Sequence, residues 1–251
     1  MAQTEAQGGE RRARGTVLTL EIWHPNCWTL EVTDAAPANL LAHSVYNATD
    51  GHVKGHFTVY GDSTDDIDEL IDAAADSRLT HSVVEMQRRY AHDYGGTAPG
   101  NATRELFVEY DPTDTISDAL ASRGFIQEAP VRIRDGTEYW SVFVDDVDRD
   151  ELHERLEEVR ESHDADITVT KISSQDTVGD DIVDRVGLLS ERQRDIFELA
   201  CEHGYYDWPR GITTRELADE ADISKTTLLE HLRQAEAKLL DPAIEEATDS
   251  L

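Results

Sequence analysis

The sequence predicts two regions of different class: an α+β N-terminal region of duplicated ferredoxin-like or ACT-like units, then an all-α C-terminal domain holding a helix-turn-helix. Three observations carry this. From residue 16 to 173, strand-like and helix-like segments follow the order β-α-β-β-α-β. An offset of 85 residues then lays one half on the other: Phe57 and Val59 on Val142 and Val144, Ile67, Ile71 and Ala74 on Leu152, Leu156 and Val159, and Val84 on Val169. Beyond residue 189 strand alternation stops, and apolar residues recur on a helical period behind capping signatures. The expected boundaries are a lead at 1–15, an α+β region at 16–173 (units at about 16–95 and 103–173), a linker at 174–188, the helix-turn-helix domain at 189–240 and a tail at 241–251.

Taken in order, MAQTEAQGGERRARG is polar and reads as a frayed terminus, Arg11, Arg12 and Arg14 offering a minor-groove arm as the second reading. Thr16 to Trp23 is rich in β-branched and apolar residues and predicts a strand. Asn39 to Tyr46, after Pro37 and the WHPNCW stretch, takes the place of the first unit's early helix. His52 to Tyr60 alternates as a strand, Asp65 to Ala75 carries the stripe Ile67, Leu70, Ile71, Ala74, and Thr80 to Arg88 returns as a strand. The second unit has a strand at Arg104 to Tyr110 and a helix at Thr115 to Arg123 stopped by Gly124. A hairpin turning at Asp135-Gly136, a helix at Asp148 to Ser162 and a strand at Asp166 to Ile172 complete it.

In the C-terminal region, Ser190 and Gln193 form a capping box for a helix that Gly204 ends. Tyr205, Tyr206 and Trp208 are expected to pack beneath the motif. Thr213 and Glu216 cap a second helix, Asp222 takes the left-handed turn position, and Ser224 caps a third. Leu228, Leu232, Ala235 and Leu239 form that helix's buried stripe. The opposite side presents Lys225, Thr226, Glu230 and Arg233, with Thr227 and Gln234 on the flank. Hydroxyl, amide and basic groups at a helix N-terminus suit phosphates and base edges, so Ser224, Lys225, Thr226, Thr227, Glu230 and Arg233 are the candidate contacts to double-stranded DNA.

The runs LSERQRDIFELACEHGYYDWPR and ISKTTLLEHLRQAEAKLL, with T-x-x-E-L-A between them, resemble the C-terminal domain of the haloarchaeal bacterio-opsin activator-type helix-turn-helix regulators. ISKTTLLEHL is also similar to LuxR-type and sigma-factor domains. The resemblance implies sequence-specific transcription regulation with the second motif helix as reader. It leaves the upstream signal unnamed.

Composition sets outer limits. Fifty-three acidic against 23 basic residues give a net charge of −30, spread along the chain, with lysine at only four positions. That distribution suits solubility at high salt better than an acidic interaction tail. Residues 187–240 carry seven basic and eleven acidic side chains, the least phosphate-repelling stretch although not a basic one. Cys27 and Cys201 lie too far apart in sequence to suggest a disulfide framework, and no apolar run approaches a membrane span. A cytoplasmic protein without membrane attachment, acting as a homodimer, is the expectation.

The N-terminal half holds one cluster with chemical scope: His24, Cys27, His43, His52 and His56. H-x-x-C spacing lets a tight loop bring His24 and Cys27 onto one ion, and His52 and His56 share a strand face. Such ligands suit a transition metal or haem, which makes a metal- or redox-sensing regulator the alternative reading; no cofactor is required by the sequence. A small-molecule or metal effector is the expected partner of this region. A protein-interaction module without DNA affinity is the third class. Catalysis is not expected: Cys27 beside His24 has no orienting acid at recognisable spacing, and no phosphate-binding loop accompanies them.

Overall fold

The computed structural model describes residues 15–47, 51–86, 100–111, 116–145, 148–174 and 186–249. The expected lead, most of the linker and the ends of the tail lie outside these residues. The N-terminal region runs β1 (Thr16–Trp23), α1 (Trp28–Ala35), β2 (Ala38–Asn47), β3 (Val53–Gly61), α2 (Thr64–Asp76), β4 (Thr80–Glu85), then β5 (Ala102–Tyr110), α3 (Ile116–Ser122), β6 (Ile126–Gln127), β7 (Val131–Arg134), β8 (Thr137–Val144), α4 (Arg149–His163) and β9 (Asp166–Ser174). The C-terminal region holds α5 (Glu191–Glu202), α6 (Thr214–Glu220) and α7 (Lys225–Asp249). The last helix thus continues past Leu240, where the sequence suggested a tail.

All strands join one antiparallel sheet in the order β4-β5-β3-β2-β7-β8-β1-β9, with the short β6 paired to β8. Each half of this sheet has the strand pattern of a β-α-β-β-α-β unit, but the first strands are exchanged. β1 lies between β8 and β9 of the second half, and β5 lies between β3 and β4 of the first. The halves meet where β2 pairs β7 over three residue pairs, Leu40 with Ile133 to Ala42 with Val131. One continuous core runs beneath α1 to α4, from Leu18, Leu20 and Ile22 through Phe57, Val59 and Ile67 to Val142, Leu156 and Val159.

The 85-residue offset holds for α2 and α4: Ile67 and Leu152 are each the fourth residue of their helices. Asn39 to Tyr46 is not helical. It forms most of β2, and the first helix is α1, opened by Trp28, whose ring meets Phe57 edge-on at 5.0 Å. β2 is a central strand with Leu40 and Leu41 both buried, on opposite faces. A strand covered on both sides loses the clean alternation that identifies an edge or half-buried one.

Candidate nucleic-acid interface

The C-terminal helices form a core of their own from Ile196, Ala200, Tyr205, Leu217, Ala218, Leu228 and Leu232. Thr213 and Glu216 close a reciprocal capping box on α6. Asp222 takes the left-handed conformation at φ 53°, and its short polar side chain makes that tolerable in the turn. Ser224 Oγ accepts the Thr227 amide at 3.1 Å, which satisfies one unpaired donor at the start of α7.

Along α7, Leu228, Leu232 and Ala235 are fully buried. Ser224, Lys225, Thr226, Glu230 and Arg233 are exposed, and Thr227 is half-buried. The capped N-terminus carries the exposed Lys225 in its first turn, and such a helix end favours an anion. Arg233 and Thr226 stand on the outer side, clear of the core stripe.

Gln234 is turned elsewhere: its Oε1 accepts from Gln193 Nε2 at 2.8 Å. Gln193 belongs to a polar junction that seats the helical domain on the sheet. Its Nε2 also donates to Asn101 Oδ1 (2.6 Å), and its Oε1 accepts from Lys238 Nζ (2.7 Å), which donates as well to the Gly100 carbonyl (2.8 Å). Ser190 Oγ and the Arg192 amide donate to the Asp62 carboxylate, and Tyr60 donates to the Gly187 carbonyl. Lys238 is 3% exposed, and its burial pushes the ammonium down to about 8. Nothing in the sequence marked it; it stands beside Leu239 on what reads as the apolar flank.

The aromatic expectation is half corrected. Tyr205 is buried, with the Arg210 guanidinium 4.5 Å above its ring. Tyr206 is half-exposed and donates to Glu236, while Trp208 is 98% exposed. The reason lies in the loop: Gly204 turns at φ 66° and the Gly211 amide closes back on its carbonyl at 2.9 Å, so residues between them bulge into solvent.

The five histidine and cysteine candidates do not form one site, because strand parity divides them between the faces of the sheet. His24 continues the inward row Leu18, Leu20, Ile22 and joins Cys27 and Glu138, all buried. His43 and His56 gather with Glu105 and Thr58 on the opposite face: His56 Nε2 lies 2.7 Å from Glu105 Oε2, and His43 Nε2 lies 2.8 Å from Thr58 Oγ1. His52 packs edge-on to His81 at 4.7 Å. Glu138 and Glu105 complete the clusters, and sequence reasoning missed both, since one carboxylate among 53 acidic residues carries no signal. The Cys27 thiol is pushed up strongly by burial and then by Glu138, the reverse of what a nucleophile needs.

Residues 189–241 match the family described as HTH DNA binding domain, and residues 17–165, more than half the chain, match the HVO_2525 N-terminal domain family. The dimethyl sulfoxide reductase transcriptional activator of Haloferax volcanii is 34% identical over 181 residues, 66% of this chain and 79% of the relative. The chain belongs to the bacterio-opsin activator-type helix-turn-helix regulators.

Over shorter stretches it is similar to the transcriptional regulator NarO of Haloferax volcanii (42% over 57 residues, 23% of this chain and 27% of NarO). It is also similar to the bacterioopsin transcriptional activator of Halobacterium salinarum (36% over 58 residues, 23% of this chain and 9% of that one). Three of the curated relatives are thus matched over only a tenth to about a quarter of their own length. The likeness to the dimethyl sulfoxide reductase activator covers 66% of this chain, and the others cover 23% each. No helix among its described residues is long and apolar enough to cross a membrane.

Proposed function

We propose that the chain is a sequence-specific, DNA-binding transcription regulator working at high salt. In this reading α7 is the helix that enters the major groove, and the α+β region senses a signal or brings two copies together. The observation that carries it is the split of α7 into a buried stripe of Leu228, Leu232 and Ala235 and a solvent side bearing Lys225, Thr226, Glu230 and Arg233 behind the Ser224 cap. Contacts from the helix N-terminus would fix position on phosphates, and side chains further out would read bases. The family matches and the printed names of the relatives support the same reading.

A homodimer follows from the way such motifs address two half-sites. Strands β4 and β9, the two ends of the sheet, leave Val84 and Ile172 more than half exposed, which is compatible with pairing there. The test is an unbiased one: genomic fragments selected on the full chain, then titrated against specific and scrambled duplexes at several salt concentrations. Equal affinity for both duplexes throughout, or no binding, would remove the regulator reading and leave an interaction module.

A further inference from the structure

Of the two candidate metal clusters among the described residues, one is chemically complete without an ion and the other is not. On the open face, His43, His56, Thr58 and Glu105 hydrogen-bond among themselves, so their polar atoms have partners. Under α1 the situation differs. His24 is 4% exposed, yet its Nε2 has no hydrogen-bond partner. It lies 4.0 Å from Glu138 Oε1, which is itself 3.6 Å from Cys27 Sγ. An orphaned buried ring nitrogen is costly, so its persistence calls for a partner that the polypeptide does not provide.

We propose that His24, Cys27 and Glu138 bind one divalent transition-metal ion of borderline softness, of the zinc, cobalt or ferrous class, through Nε2, Sγ and Oε1. The inference deepens the reading of the α+β region as a sensing part. The three donor atoms lie within 4.8 Å of one another. Ligands about 2.0–2.3 Å from a tetrahedral ion stand roughly 3.3–3.8 Å apart, so shifts of at most about an ångström close the site.

Charge favours the same class. A thiolate and a carboxylate neutralise a divalent cation, and neutral imidazole adds a third ligand without adding charge, so the filled site buries no net charge. On binding, the Cys27 S–H bond breaks, its proton leaves to solvent, and the sulfur pair forms the S–metal bond. Glu138 Oε1 gives up the donors Cys27 and Thr29, while Oε2 keeps the Trp140 indole N–H at 2.8 Å, which fixes the carboxylate plane.

The fourth position is open. A cavity of about 50 Å³ adjoins the three donors, walled by Trp28, Ala42, Phe57, Tyr110 and Trp140. That has room for a water or a ligand of a few atoms. Three protein ligands with one exchangeable place distinguish a responsive centre from a closed structural one.

The test is a Co²⁺ titration of the full chain after chelator treatment, read by sulfur-to-cobalt charge-transfer absorption. One equivalent is expected to bind, with the band present in wild type, in His43→Gln and in Cys201→Ser, whose cysteine is exposed. His24→Gln, Cys27→Ser and Glu138→Gln should each abolish the band, with folding checked by near-UV circular dichroism. Trp140→Phe should keep the band with affinity lowered roughly 10- to 100-fold. Should a variant fail to fold, wild type still decides: no band at one equivalent overturns the site. So does a band lost in Cys201→Ser, or one that survives folded Cys27→Ser. DNA affinity is a separate measurement, so a regulator that binds its operator but no cobalt loses this proposal alone.

Discussion

Raising the pH from 7 to 10 should increase the contribution of a single buried amine to the stability of the fold. Lys238 sits at the junction of α7 with the sheet, held by Gly100 O and Gln193 Oε1 and nearly solvent-free. Burial disfavours its charged form and brings it from 10.5 to about 8, against the pull of the Asp62 carboxylate. The unfolded chain keeps this proton to the ordinary value, so between those limits the unfolded state binds more protons than the folded one. Stability therefore rises with pH across that window, with a slope approaching about 1.4 kcal/mol per pH unit.

Integrated from pH 7 to 10, the gain is about 2–3 kcal/mol. The neutral amine has two N–H groups for its two acceptors, so the junction survives deprotonation. The assay is denaturant unfolding of wild type and Lys238→Met at four pH values and fixed salt. Titrations shared by both chains, among them the raised Tyr206 and Cys201, cancel in the difference. Wild type should gain on the variant by that amount as pH rises. Parallel curves would show that Lys238 is not buried at this junction in solution.

Other expectations follow from the same geometry. Lys225→Ala should weaken specific and scrambled duplexes alike, whereas Arg233→Ala should lose about 1–3 kcal/mol at one operator position, measured by binding titration across operator variants. Leu232→Ala empties the α7 stripe and should lower stability by about 2–5 kcal/mol in denaturant melts. Trp208→Ala should leave those melts unchanged, and steady-state quenching by acrylamide should show the Trp208 indole fully accessible in free protein. A fragment ending at residue 95 should not fold, as read by circular dichroism, because the strand between β3 and β4 comes from residues 102–110.

The helical domain was legible almost residue by residue because its signals are local. Capping boxes at Ser190 and Thr213, the left-handed Asp222 and the 3.6-residue stripe each lie within one or two turns of chain. The class of the sheet region and the order of the main elements in its second half were legible too. What escaped was everything set by distant pairing. The β2 segment reads as helix because burial on both faces hides its period. Glu138 meets His24 and Cys27 only because β8 pairs with β1, more than a hundred residues away in sequence.

The exchange of first strands explains why the cluster of His24, Cys27 and Glu138 and the repeat were not readable together. In an unexchanged unit β1 would pair within its own half, and His24 would lie against β3 and β4. With β1 placed between β8 and β9, the end of β1 and the start of α1 straddle the two halves, so His24 and Cys27 from the first copy meet Glu138 from the second. Glu138 has no counterpart in the repeat: 85 residues earlier stands Val53, buried and apolar. The repeat accounts for the frame, and a departure from it at one position places a carboxylate where the crossed strands bring histidine and thiol. A Glu138→Val chain, which restores the repeat, should retain the fold, since the position already tolerates Val in its symmetry mate. It should also lose cobalt binding completely. If that chain unfolds instead, Glu138 serves chiefly to satisfy Thr29 and Trp140, and the carboxylate is a structural partner of the hairpin.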